Sequence, residues 1–190
     1  MSDPDPLPIS SSEEFLIDIS VKSSNWTSVN FSVHEHCKKV MKAVVVNVLG
    51  GGYENKSVEI SLLLADDERL HNLNKEFRNK DSTTNVLSFP FYKIQKDTIN
   101  SVLDSNDYMF LGDIAISFER IMSESMEQEK TFEEYFSHIL IHGLLHLFGY
   151  DHILDEEAEI MEKLEIKIMN EVGYKYKPIE FNDQMVSQNL

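Results

Sequence analysis

Thr131–His152, TFEEYFSHILIHGLLHLFGYDH, opens and closes as a helix does, and the remaining elements can be read outward from it. Thr131 followed three residues later by Glu134 has the form of a capping box, whose two side chains satisfy backbone N–H groups at a helix start. The spacing predicts a helix from there through His146 to about Phe148, with Gly149 placed to end it. Downstream, Asp155 can cap a final helix in which Ile160, Met161, Leu164 and Ile168 make one apolar face. Upstream, Phe118–Met126 predicts a helix and Gly112–Ser117 a strand of alternating character. Val86–Pro90 reads as a short strand ended by proline, Arg78–Asn85 as a polar loop, and Val58–Ala65 as the best core strand. Asp66 can cap a helix running to about Phe77. Val33–Leu49 carries apolar groups at helical spacing and stops at Gly50-Gly51-Gly52, while Phe15, Ile17, Ile19 and Val21 alternate as in a half-buried strand.

Strands and helices therefore interleave around one sheet. The fold class is α/β, or α+β: a single domain with a small mixed sheet flanked by helices. Residues 1–12, rich in Pro, Ser and Asp, are expected to be a disordered leader, residues 13–176 the domain, and residues 177–190 a flexible tail. Tyr92–Tyr108 lacks periodicity and is expected to be a mobile loop. Cys37 is the only cysteine, which excludes an intramolecular disulfide and leaves any metal to His and carboxylates. No apolar run approaches a membrane span, and the N-terminus lacks the order of an export signal, so the expectation is a cytoplasmic protein with no membrane partner. The net charge of −16 argues against simple nonspecific binding to nucleic acid, although it leaves room for a locally basic cleft between the acidic ends.

The histidines carry the chemistry. Residues four apart on a helix share a face, so His142 and His146 can present imidazole nitrogens to one ion, at the distance of about 2.0–2.1 Å that zinc requires. Gly149 allows the chain to leave the helix in a left-handed conformation and swing His152 back towards the same point. Three protein ligands leave one position open, the mark of a catalytic rather than a structural zinc, with one ion per chain. The spacing is that of metzincin proteases, except that Gly143 stands where those enzymes carry the glutamate that serves as general base. A glycine inside a helix costs about 1 kcal/mol relative to alanine, so close packing or substrate access is the expected reason for it. His138, one turn before His142, is equally readable as a hydrogen-bond partner behind a ligand imidazole or as core packing. Asp151 can orient a ligand imidazole or cap the turn. His34 and His36 read as surface residues.

The tract His142–His152, HGLLHLFGYDH, closely resembles the signature of the YbeY family, bacterial and organellar endoribonucleases that mature ribosomal RNA. Leu73–Arg78 leading into Thr84–Pro90 resembles the family's central block, and Leu111–Ser117 its strand before the histidine helix; the likeness runs from Phe15 to Tyr174. The resemblance implies a zinc ion on His142, His146 and His152, single-stranded ribosomal RNA as substrate, and work with the ribosome in small-subunit RNA 3′-end maturation and quality control. It also implies that Arg78 is the family's functionally important arginine. Read without it, Arg78 is a solvated residue near a helix C-terminus. With it, Arg78 joins His142 and His146 as a catalytic candidate that can clamp phosphate bidentately, with Lys75 and Lys80 as flanking phosphate contacts or simply a solvated face. Asp113 is a site carboxylate or a strand-end cap, and Ser88 and Thr84 bond phosphate or backbone.

A metal-dependent endoribonuclease is thus the leading expectation. A zinc peptidase is the alternative on ligand spacing, weakened by Gly143. A non-catalytic ribosome-associated factor, its charge suited to basic ribosomal proteins, is the third.

Overall fold

The computed structural model describes residues 14–50, 56–92 and 108–175, so the expected leader, most of the expected loop and the tail lie outside the described residues. Four strands form one mixed sheet in the order β1-β2-β4-β3: β1 Glu14–Val21, β2 Ser57–Ala65, β3 Val86–Pro90 and β4 Tyr108–Ser117. β1 and β4 run parallel to β2 on either side of it, and β3 pairs antiparallel to β4 at the edge. Among the described residues there are five α-helices: α1 Val33–Leu49, α2 Asp67–Arg78, α3 Phe118–Glu127, α4 Phe132–Leu147 and α5 Asp155–Glu171. The sheet is small, mixed and flanked by helices, as the pattern predicted.

Period-two burial places a core on each face of the sheet. Val58, Ile60, Leu62 and Leu64 of β2 join the larger cluster with α1, α4 and α5, whereas Ala65 and Leu87 join Leu70 and Leu73 of α2 in a smaller one. On α1 the stripe Cys37, Val40, Met41, Val44 and Val45 is buried, the i, i+3, i+4, i+7, i+8 set that one helix face requires. Asp66 Oδ1 accepts the Arg69 N–H and Thr131 Oγ1 the Glu134 N–H, so both expected caps form. Asp155 does not cap. Leu154 holds that position and Asp155 lies inside the first turn with Glu156 and Glu157, where the positive end of the helix dipole favours negative charge. Ile160 is exposed rather than part of the α5 stripe. His36, expected on the surface, is buried where α1 meets α4: it bonds Ser137 Oγ at 2.7 Å and pairs with Glu133 at 3.2 Å.

β4 begins four residues earlier than its alternation indicated. Phe110 pairs with Glu59 and Gly112 with Ile60, which leaves Leu111 as the extra residue of a bulge. Met109 and Leu111 face the larger core before it, and Ile114 and Ile116 after it. The bulge flips the phase of the alternation, so period two is visible on one side only. Gly112 sits at φ 139°, and a β-carbon there would lie 2.2 Å from the Phe89 carbonyl oxygen. Gly112→Ala is expected to destabilise the fold by on the order of 1–3 kcal/mol, through strain at a backbone conformation reserved for glycine. A denaturant midpoint unchanged from the parent would contradict this.

Candidate metal centre

Helix α4 lies against β3 and β4 and between the other helices of its face. Its close approach to the sheet is possible because position 143 has no side chain. A β-carbon at Gly143 would lie 3.1 Å from Ser88 Oγ, 3.3 Å from a Val86 methyl and 3.4 Å from Ile114 Cδ1, and the Ser88 hydroxyl donates to the Gly143 carbonyl at 3.1 Å. The helix gives up about 1 kcal/mol of propensity for this glycine, whereas forcing extra atoms into a filled contact costs typically 1–3 kcal/mol. Packing favours the glycine and accounts for the missing glutamate of the proteases, whose side chain would begin in tight contact with Ser88 and Val86 of β3.

At the other end α4 closes as expected. The Gly149 N–H donates to the His146 carbonyl and the Tyr150 N–H to the Leu145 carbonyl, with Gly149 at φ 80°, a Schellman turn. The turn also orients a side chain. His146 Nδ1–H donates to the Tyr150 carbonyl oxygen at 3.0 Å, which leaves Nε2 without a proton and facing inward. His152 follows on the returning chain, its backbone N–H donating to Asp151 Oδ1 at 2.7 Å. Asp151 therefore fixes the backbone of the turn at His152, the capping alternative of its two readings.

His142, His146 and His152 each direct a ring nitrogen to one point, all within 4.8 Å of one another. Nε2 of His142 and Nε2 of His146 are 3.0 Å apart, and Nε2 of His152 is buried with no hydrogen-bond partner. Nitrogens each 2.0–2.1 Å from a shared tetrahedral ion would be about 3.3 Å apart. Facing lone pairs and an orphaned buried nitrogen are costly for a protein alone and are resolved by a cation, so the residues present fit a metal ion. Burial, then the charges of His142 and His152, push the His146 pKa down to about 3; burial first, then His142, lowers that of His152. Both imidazoles stay neutral at ordinary pH, the state that ligation needs.

The residue that the sequence reading missed is Glu165, on α5 and 2% exposed. Its Oε1 lies 2.8 Å from His142 Nδ1 and its Oε2 3.2 Å from His138 Nε2. The signal was present: Met161, Leu164, Glu165 and Ile168 share one helical stripe, and a carboxylate within such a stripe needs buried partners. His138 is wholly buried and meets this carboxylate rather than the point where the three nitrogens converge.

The imidazoles of His142 and His146 open onto a cleft of about 610 Å³ between α4, β3 and the end of α2. Arg78 lines it together with Asp151, and burial lowers the Arg78 pKa while the Asp151 charge opposes that shift. Ser88 is on its wall, and Phe77, 60% exposed, stands with Tyr92 at its edge. Other expected residues lie elsewhere. Lys75 is exposed on α2 and paired with Asp81 at 2.8 Å, Thr84 is buried and bonds the Val86 carbonyl, and Asp113 lines a separate hollow of about 470 Å³ on the opposite sheet face.

Fold and site together define a single-domain α+β protein with a three-histidine centre fitted to a divalent metal at the floor of an open cleft. The family model described as Endoribonuclease YbeY matches residues 21–173, and the chain belongs to that family. It is 39% identical over 160 residues to the endoribonuclease YbeY of Agrobacterium fabrum, covering 83% of this chain and 90% of that one. The solution structure of TM1509 from Thermotoga maritima has the same fold, at 23% identity and a TM-score of 0.52, covering 83% of this chain and 89% of the other.

Two outcomes follow. Gly143→Glu is expected to lower the melting temperature and to yield no peptidase activity on casein, because the new carboxylate meets β3; a stable variant that cleaves casein would contradict the packing account. In the metal-free chain an unfolded imidazole takes up its proton near 6.5 but folded His146 only near about 3. Protons therefore favour the unfolded state, and stability present above pH 6.5 is lost as pH falls towards 3. Denaturant midpoints measured in chelator should drop steadily below about pH 6.5, and a flat profile would contradict the burial of neutral imidazoles.

Proposed function

We propose that this protein is a zinc-dependent endoribonuclease that cleaves single-stranded ribosomal RNA during small-subunit 3′-end maturation and ribosome quality control. The observation that carries the reading is the convergence of His142, His146 and His152, the first two lining the same cleft as Arg78. Membership of the endoribonuclease YbeY family supplies the substrate class.

His142, His146 and His152 would hold the ion. When bound, zinc supplies Lewis acidity, lowering the pKa of water towards 7 and polarising phosphoryl oxygens. The chain's own residues do the rest. Arg78 offers a guanidinium, whose planar fork binds phosphate bidentately and stabilises negative charge as it develops in phosphoryl transfer. The exposed rings of Phe77 and Tyr92 at the cleft edge offer faces on which unpaired bases stack, a contact open to single strands and closed to paired ones. The net charge of −16 sends general polyanion binding to the bottom of the list, so recognition must be local to this cleft.

The peptidase reading loses its remaining support at position 143, where the structure has strand contacts in place of a base. The family match does not favour it either.

Purified protein incubated with small-subunit precursor RNA is expected to cleave it, and chelator should abolish the cut. His146→Ala should lose both metal and activity. Arg78→Ala should keep its metal while its rate falls by about 10²–10³-fold, the usual loss when one donor to developing charge is removed. Cleavage at full rate in both variants would sink the proposal.

A further inference from the structure

His138 and Glu165 take no direct part in the centre as described, yet both are shut away from solvent beside it. The carboxylate is buried to 2% exposure and His138 to 0%. A buried carboxylate is expensive unless it is paired. Here two imidazoles meet it, His142 Nδ1 at Oε1 and His138 Nε2 at Oε2. Both oxygens of the carboxylate are thus met by ring nitrogens, the pairing that a buried ionised carboxylate requires. An ionised carboxylate only accepts hydrogen bonds, so the ring nitrogens facing it are N–H donors. That choice leaves the proton of His142 on Nδ1 and its Nε2 bare, facing Nε2 of His146.

We infer that Glu165 and His138 are positioning residues for the metal centre: the carboxylate fixes the tautomer and ring orientation of His142 and lends it negative charge, and His138 pins the carboxylate. The inference rests on the metal-binding part of the proposed function and not on the RNA substrate. Two ligands of the centre are then fixed by different means. His146 is held by a backbone carbonyl of its own helix end and carries no added charge. His142 is held by a full negative charge delivered from α5, a helix that contributes no ligand. The carboxylate compensates the cation from behind, through the imidazole, while the cleft side stays open for a substrate that is itself anionic. Placed behind His142, the Glu165 carboxylate is screened from that substrate by the ring.

The test uses the full chain, first stripped of metal and then titrated with zinc against a competing chelator. Nitrogen-15 NMR of the metal-free parent reads the tautomer of each histidine directly and needs no variant. His142 is expected to carry its proton on Nδ1, and finding it on Nε2 would overturn the inference. Glu165→Gln keeps an acceptor and removes the charge; Glu165→Ala removes both. Zinc affinity is expected to fall by roughly 10–100-fold, the range seen when partners of ligating histidines are lost, with the alanine variant at the larger end and its His142 tautomer mixed. His138→Asn should weaken zinc binding less than either. A purely structural strut would lower the melting temperature of the metal-free chain and leave both tautomer and affinity alone. Zinc affinity within twofold of the parent in folded Glu165→Gln and Glu165→Ala would therefore contradict the inference. Should Glu165→Ala fail to fold, the parent tautomer and Glu165→Gln still decide it. Tight zinc binding without RNA cleavage would instead overturn the proposed function and leave this inference standing.

Discussion

The structure depends on how closely α4 lies on the sheet. A β-carbon at Gly143 would lie 3.1 Å from Ser88 Oγ and 3.3 Å from a Val86 methyl on β3, and Ser88 bonds its carbonyl. That contact fixes the rotation of the helix about its axis, and rotation decides where every other side chain on it points. With position 143 turned to the sheet, His142 and His146 are carried to the floor of the cleft. A larger residue at 143 would push the helix outward and move both imidazoles with it. The metal site is in this sense a by-product of helix-on-sheet packing, which is why a single missing side chain governs it.

Electrostatics then acts on a geometry already set. The chain is strongly acidic, yet its centre gathers imidazoles, of which His146 and His152 are kept neutral by burial first. Imidazole Nε2 atoms facing each other 3.0 Å apart, with no proton between them, are poor partners for one another and good ones for a cation. Arg78, in the same cleft, places fixed positive charge beside the point where the nitrogens meet.

Most of this was legible in the amino-acid order because most of it is local. Helix caps at Asp66 and Thr131, the stop at Gly149 and the His142–His146 pairing each depend on residues within a turn or two of one another. The losses occurred where distant segments decide. Glu165 meets its histidines across two helices, and nothing near it in sequence announces them. His36 is buried by α4, a hundred residues away. The bulge at Leu111 conceals the first half of β4, since a phase flip in the alternation reads as no alternation. Asp155 has the right residue type for a cap and lies one place too late, a shift that only the backbone can reveal. Lys75 and Asp113 are of the right chemistry and point elsewhere.

X-ray absorption at the zinc edge, on the full chain loaded with one equivalent of metal, addresses the central claim most directly. The account predicts scattering from three imidazole rings, falling to two in His152→Ala. A shell dominated by carboxylate oxygens, or one that His152→Ala leaves unchanged, would contradict it.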